Sequence, residues 1–392
     1  MLPLQGITVI ALEQAVAVPF ATRQLADLGA RVIKIERPEV GDFARAYDKT
    51  VNGESSHFVW LNRSKESLTL DVKHEEAGNI FYKLLSKADV FIQNLAPGAT
   101  DRLGLSASEL TKKYPRLIVC DLSGYGRDGP YADKKAYDLL VQCETGVVSV
   151  TGTKDEPAKS GISVADIAGG MYAFSGILTA LYQRERSGQG TSFEVTLFEA
   201  LGEWMSYPAY YAAYGGTAPP RSGAAHAVIF PYGPFDCGDG KTVFFGVQNE
   251  REWEKFCRIV LQQPELVSDP RFTPNPQRIQ NQAELEPMIN EVLQSLTSKQ
   301  VLARLDEAQI ANARLNSPQE FWNHPQLAAR NRRRTVDTPS GPIEALLPPI
   351  HLAGMAVRMD AVPDVGEHSH DILLELGYDE KAIAAMKAAG AI

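Results

Sequence analysis

The first 125 residues alternate short apolar runs with amphipathic stretches, and that rhythm restricts the fold more than any other feature of the chain. Strands are expected over 7–12, 31–35, 67–70, 90–93 and 117–122. Helices are expected between them, over 20–28 (closed by Gly29) and near 75–86 and 106–113. Parallel strands need long crossovers, and the crossover helices cover both faces of the sheet. The pattern therefore predicts an α/β chain with a Rossmann-like parallel sheet. Ligands of such sheets gather where strands end in loops, as in Gln93-Asn94-Leu95-Ala96-Pro97-Gly98.

Further along, a helix rich in Gly, Ala and Ser is expected from Ala165 to about Arg186. A strand over 192–196 and an aromatic helix over 198–214 follow. Residues 215–221 hold two Gly and two Pro and form the best linker. A β-rich piece over 229–248 and helices near 250–261, 282–295 and 298–308 then suggest a smaller α/β domain. The tail, broken at Pro348 and Pro349, carries helices over 370–376 and from Glu380. The expected division is 1–214 for the large domain, 222–320 for an inserted small one, and 325–392 returning to the large one.

Composition narrows the function classes. In 392 residues, 39 Lys plus Arg stand against 48 Asp plus Glu, a net charge of −9 with no basic block, which disfavours a nucleic-acid partner. The four cysteines, Cys120, Cys143, Cys237 and Cys257, are far apart, as in a reducing compartment, so a cytoplasmic location is expected. The apolar stretch 7–20 carries Glu13 and Gln14 and has no basic leader, so no signal peptide is expected. No uncharged apolar run reaches 18 residues, so no membrane-spanning helix is expected either.

A dinucleotide site must be considered first, because Glu36 ends the second strand where an acidic residue would meet a ribose. The glycine fingerprint is missing, however: residues 11–18 read Ala-Leu-Glu-Gln-Ala-Val-Ala-Val, and the backbone could not approach a pyrophosphate closely. What remains is a set of bases, Lys34, Arg37, Arg45, Arg63, Lys65, Lys73, Arg102 and Lys135, read either as solvated charges or as a polyphosphate site. No Gly-x-Ser-x-Gly elbow occurs, and no His pair has metal spacing, so no metal is expected. The most distinctive carboxylate is Asp166, in Val164-Ala165-Asp166-Ile167-Ala168-Gly169-Gly170, at or just before a helix start. It reads as a plain N-cap with glycines for helix packing, or as a reactive group that a ligand approaches closely.

The sequence resembles the class III coenzyme A transferases of CaiB/BaiF type, the family of formyl-CoA:oxalate transferase and of 2-methylacyl-CoA racemases. The likeness covers nearly the whole chain. Its carriers are Leu28-Gly29-Ala30-Arg31-Val32-Ile33-Lys34-Ile35-Glu36-Arg37, Asn62-Arg63-Ser64-Lys65, Leu70-Asp71-Val72-Lys73 and Asn94-Leu95-Ala96-Pro97-Gly98 with Arg102. Lys135-Ala136-Tyr137-Asp138, the Asp166 segment and Gly366-Glu367-His368-Ser369 complete the set.

The resemblance implies an interlocked homodimer without a prosthetic group, acting on acyl-CoA and a free carboxylic acid. It implies Asp166 as the nucleophile, forming a mixed anhydride and then an aspartyl-CoA thioester. It places CoA contacts at Val16, Ala17, Arg37, Leu70, Lys73, Asn94, Leu95, Ala96, Arg102 and Lys135, and substrate contacts at Tyr137, Asp138 and His226. Racemases of the family have His-Asp where this chain has Tyr137-Asp138. A phenol, with an ordinary pKa of about 10, is a poor substitute for imidazole in proton transfer, so transfer is favoured over racemisation. Val16 stands where formyl-CoA transferase has Gln. The run from His226 to Phe235 and the segment 247–253 look more like relatives acting on succinate, mesaconate, malate or citramalate. An acyl-CoA isomerase, or CoA transfer within one dicarboxylate, is the alternative.

Overall fold

The computed structural model describes residues 2–392. Its main sheet has six parallel strands: β1 (Thr8–Leu12), β2 (Arg31–Glu36), β3 (Lys65–Thr69), β4 (Val90–Gln93), β5 (Ile118–Ser123) and β6 (Ser192–Thr196). They run in the order β3-β2-β1-β4-β5-β6. Val9 of β1 pairs with Val32 of β2 on one side and Val90 of β4 on the other. The chain order reverses between β1 and β4, and ligands of open α/β sheets settle in the crevice outside such a reversal.

The connections carry α1 (Ala17–Asp27), α2 (Ser56–Asn62), α3 (Ala77–Leu85), α4 (Ala99–Arg102), α5 (Ala107–Lys113), α6 (Asp138–Glu144), α7 (Val147–Val150), α8 (Val164–Ser187) and α9 (Leu197–Trp204). Alternate strand residues Ile10, Leu12, Ile33, Ile35 and Leu68 face one core. Ile80, Phe81 and Leu84 of α3, Leu110 of α5, and four residues of two tail helices fill it: Ile372, Leu373, Ile383 and Met386. The opposite face is covered by α1 and α8, which pack closely on each other. Helix α8 is long and apolar enough to cross a membrane by length and composition, but buried residues recur along it from Ala165 to Leu181, as in a core helix.

The tail also covers the free edge of β3. Ser67 exchanges bonds with His368, its N–H donating to the ring Nδ1 at 3.2 Å and its carbonyl accepting from the His368 N–H at 3.0 Å. Thr69 N–H donates to Ser369 Oγ at 2.9 Å. An edge strand left bare would template pairing with another chain. Gly366 makes the turn, with φ at +68°, and a Cβ there would meet Thr69 Oγ1 at 2.9 Å.

The chain divides into two compact units, and the division differs from the one expected. The first comprises Met1–Thr145, Gly161–Met205 and Ala328–Ile392; the second comprises Gly146–Ser160 and Ser206–Leu327. The aromatic helix expected over 198–214 is two helices, α9 and α10 (Ser206–Gly215). Pro208 explains the break: it has no N–H to donate to the Trp204 carbonyl, and its ring crowds that position. The second unit holds an antiparallel sheet of β7 (Tyr232–Asp236), β8 (Thr242–Gly246) and β9 (Asn312–Arg314). Its separate core contains Phe235, Phe245, Trp253, Phe256, Leu285, Ile289 and Leu305. In the first unit, the tail contains a hairpin that the sequence reading does not contain: β10 (Arg333–Val336) with β11 (Ile343–Leu346).

Candidate active site

The crossover from β5 to the parallel β6 runs through α8, which therefore points its N-terminus at the edge where the strands end. Asp166 is the third residue of that helix. It is not the cap. Ser163 occupies the cap position without a side-chain bond. The capping carboxylate comes from the start of α6: Asp138 Oδ1 accepts from the N–H of Ala165 at 2.7 Å and of Asp166 at 3.2 Å. Its Oδ2 accepts from Gln142 Nε2 at 2.6 Å. Asp138 thus satisfies donors that a helix start otherwise leaves bare.

Asp166 is left without such support. No group among the described residues donates a hydrogen bond to its carboxylate. Burial raises its pKa from 3.8 to about 7, and the negative charge of Asp138 adds to the rise. Its surface is only partly covered, yet the protein packed around it makes burial the leading cause. The result is a basic carboxylate at the positive end of a helix, where developing negative charge is stabilised.

The two glycines after Asp166 are explained by packing. A Cβ at Gly169 would lie 2.7 Å from Leu197 Cδ2, and one at Gly170 would lie 2.5 Å from the Ala17 carbonyl oxygen. Their space belongs to α9 and α1, so the close approach they allow is between helices.

Parallel strands put all their C-termini on one edge, and the expected CoA residues follow those ends. Arg37 follows β2, Lys73 follows β3, Asn94, Leu95 and Ala96 follow β4, and Arg102 ends α4 just beyond. Lys135 and Tyr137 precede α6, on the connection leaving β5. Arg37, Lys73, Ala96, Arg102, Lys135 and Tyr137 are exposed. Val16, Ala17 and Leu70 are buried side chains; the first two stand at the start of α1, and Leu70 belongs to the core under α3. Asn94 works as a loop clamp: its Oδ1 accepts from Gln14 N–H and its Nδ2 donates to the Gln14 carbonyl, both at 2.9 Å. It ties the two loops that flank the strand-order reversal.

The eight bases separate into two groups. Lys34, Arg45, Arg63 and Lys65 are consumed inside the protein. Lys65 Nζ donates to Glu13 Oε1 at 2.6 Å, and Lys34 Nζ to Asp42 Oδ2 at 2.8 Å and Glu13 Oε1 at 3.3 Å. Arg63 pairs with Asp27 at 2.8 Å and Arg45 with Glu36 at 2.8 Å. Burial draws Lys65 down to about 8, partly offset by Glu13. Burial opposes the charge of Glu13 as well, but Lys65 and Lys34 outweigh it and hold the carboxylate below its ordinary value. Glu36 behaves alike: Arg45 and Lys34 overcome burial and bring it to about 2. With Ser67 Oγ also bound to it at 2.8 Å, Glu36 has no capacity left for a ribose. The four remaining bases, Arg37, Lys73, Arg102 and Lys135, are the exposed ones.

One aromatic residue on which the charge of Asp166 acts carries no sequence signal. Tyr47 follows the short turn Phe43–Ala46, and its phenol is pushed up to about 12, by burial first and then by Asp42, Asp166 and Tyr137. His57 packs on it. In the second unit, His226 stacks on Tyr232 with ring centroids 5.1 Å apart and 7° between planes, and its Nδ1 accepts from Val228 N–H at 3.2 Å. Among the described residues, no three His, Cys, Asp or Glu side chains form a cluster that could hold a metal ion.

The family model described as CoA-transferase family III matches residues 4–369. The acetyl-CoA:oxalate CoA-transferase of Acetobacter aceti is 37% identical over 331 residues, 84% of this chain and 85% of that protein. The succinyl-CoA:glutarate CoA-transferase of Mus musculus is 31% identical over 397 residues, 100% of this chain and 91% of that protein. Among solved structures, a CAIB/BAIF family protein of Brucella suis matches with a TM-score of 0.82 and 32% identity, covering 96% of this chain and 99% of that one.

Proposed function

The chain belongs to CoA-transferase family III, and we propose that it moves CoA from an acyl-CoA to a short dicarboxylic acid through covalent adducts on Asp166. One observation carries this reading: a carboxylate with no donor, raised to about 7, at the N-terminus of α8. Raised basicity makes a carboxylate a better nucleophile, and lack of a donor leaves both oxygens free to attack.

The chemistry runs in balanced pairs. The Asp166 carboxylate attacks the thioester carbonyl, the C–S bond breaks, and CoA thiolate leaves a mixed anhydride behind. The thiolate then attacks the Asp166 carbonyl of that anhydride, releasing the donor acid and leaving an aspartyl-CoA thioester. An acceptor carboxylate attacks this thioester and displaces thiolate. The thiolate attacks the acceptor's acyl carbon, yielding the new acyl-CoA and free Asp166. Overall one thioester is exchanged for another, which is nearly isoenergetic, and the covalent carrier splits the exchange into easier steps.

Asp138 holds the start of α8 and keeps the Asp166 backbone fixed. Arg37, Lys73, Arg102 and Lys135 are the bases available for the CoA phosphates at the strand ends. Diacids are favoured as substrates because oxalate and glutarate stand in the names of the relatives above. A second copy of the chain belongs to the same reading: α8 leaves half of its apolar window uncovered, with Met171, Tyr172 and Tyr182 exposed. Light scattering at micromolar concentration should give a dimer.

The test of the reading is a single turnover with succinyl-CoA, quenched into hydroxylamine, which should convert Asp166 alone to a hydroxamate. Full transferase activity in Asp166→Asn would contradict it.

A further inference from the structure

Arg127 is a base at the C-terminal edge of the main sheet that belongs to neither group of bases above. It follows β5, where Gly126 (φ +101°) turns the chain and donates its N–H to Ser123 Oγ at 3.0 Å. The turn brings the guanidinium back against β5. One nitrogen, Nη2, donates to Asp121 Oδ2, and the other, Nη1, pairs with Asp101 Oδ1 of α4 at 3.6 Å. A single planar group therefore spans β5 and the short helix that ends in Arg102.

Asp121 passes the constraint on. It lies beside Gln93 in the β4–β5 register, and both side chains are buried. Asp121 Oδ1 accepts from Gln93 Nε2 at 2.8 Å, and Gln93 Oε1 accepts from the Leu95 N–H at 2.7 Å. A carboxamide has one donor end and one acceptor end, so the carboxylate decides which end meets Leu95. Arg127 takes the remaining oxygen of Asp121. Arg102 rests on the same loop, its Nη1 lying 3.1 Å from where a Cβ on Gly98 would stand. Arg127 and Asp101 form the solvent end of this relay, with side chains 45% and 55% exposed.

We infer that Arg127 is a positioning residue for acyl-CoA, holding the Asn94-Leu95-Ala96 loop through Asp121 and Gln93, and holding α4 with Arg102 through Asp101. This rests on the reading of that loop and Arg102 as CoA contacts. Two carboxylates engage the guanidinium, so Arg127 acts through its neighbours rather than on the phosphates.

The experiment compares succinyl-CoA with succinyl-pantetheine, the same thioester without the nucleotide, as donors to glutarate for the purified full chain. In Arg127→Ala, kcat/KM for succinyl-CoA should fall about 10-fold, through KM, and the ratio of the two donors' kcat/KM values should fall with it. General damage to the fold lowers both donors alike and leaves the ratio where it was. Arg127→Lys keeps a cation beside Asp121 but cannot span both carboxylates, and should recover only part of the ratio; it carries the test alone if the Ala variant does not fold. An unchanged ratio in either folded variant overturns the inference. The reading beneath it fails differently, with the unsubstituted protein using neither donor, or both equally well.

Discussion

Glu13 and Asp166 are carboxylates set among protein atoms at the same edge of one sheet, and their surroundings differ completely. Glu13 accepts from Lys65 at 2.6 Å, Thr22 at 2.6 Å and Lys34 at 3.3 Å, and is held below its ordinary pKa. Asp166 faces Asp138, receives no donor, and is pushed up to about 7. Burial works against the charge at both places, and it is the partners that decide the sign. A satisfied buried carboxylate fixes a fold: here it joins β1, β2, β3 and α1. An unsatisfied one is destabilising, and its persistence calls for a chemical use.

The contrast can be broken from either side. The largest effect is expected at Asp166. Asp166→Asn removes the nucleophile and should cut kcat by about 1,000-fold or more in a transferase assay. Glu13→Gln should do its damage in stability. It leaves the Lys34 and Lys65 ammonium groups facing each other in the core and should cost about 3–5 kcal/mol by urea denaturation. The opposite sign is expected for Asp166→Asn. An acid whose pKa is raised on folding resists ionisation in the native state. Its destabilising effect is absent below the ordinary value of 3.8, grows above it, and is complete once pH passes about 7. At pH 8 the Asn variant should therefore be more stable than the parent by about 1–3 kcal/mol, and at pH 3 the two should agree.

Asp138 supplies the next test. Its charge is the second cause of the raised pKa, so the acid limb of kcat/KM, expected near pH 7, should move down in Asp138→Asn. The helix start should weaken by about 1 kcal/mol in the same variant, because the cap is lost. The smallest effects belong to the exposed bases. Arg37→Ala, Lys73→Ala, Arg102→Ala and Lys135→Ala should each raise KM for acyl-CoA by about 3- to 10-fold, with the loss shrinking as salt rises. Lys34→Ala and Lys65→Ala should instead unfold more easily, which is the same separation seen with cations.

Much of the sheet was legible because strand signals are local. The 90–93 and 192–196 stretches coincide with β4 and β6, and the runs at 7–12 and 31–35 contain β1 and most of β2. The βαβ rhythm was sufficient for parallel strands covered on both faces. Features that depend on distant partners were not legible. Nothing near Asp138 announces that it caps a helix 27 residues later. Nothing in the spacing of the bases tells Lys65, bound to a glutamate 52 residues earlier, from the exposed Lys73. Asp166 stands out in the sequence, but its reading as a cap stays open there, and it is Asp138 that accepts from the first N–H groups of α8. The piece Gly146–Ser160 was assigned to the large domain because its own sequence carries no boundary signal, whereas its contacts lie with the second unit. Tyr47 belongs to no motif, and it follows the turn that Asp42 caps, accepting from the Ala44 N–H at 2.9 Å.

The most direct measurement is the mass of the protein caught in mid-reaction. Mixed with succinyl-CoA and quenched in acid within one turnover, then digested and sequenced by fragmentation, the peptide containing Asp166 should carry the mass of CoA less one water. In Asp166→Asn that adduct should vanish. An adduct on any other side chain, or transfer at full rate with none formed, would contradict the assignment of Asp166 as the carrier.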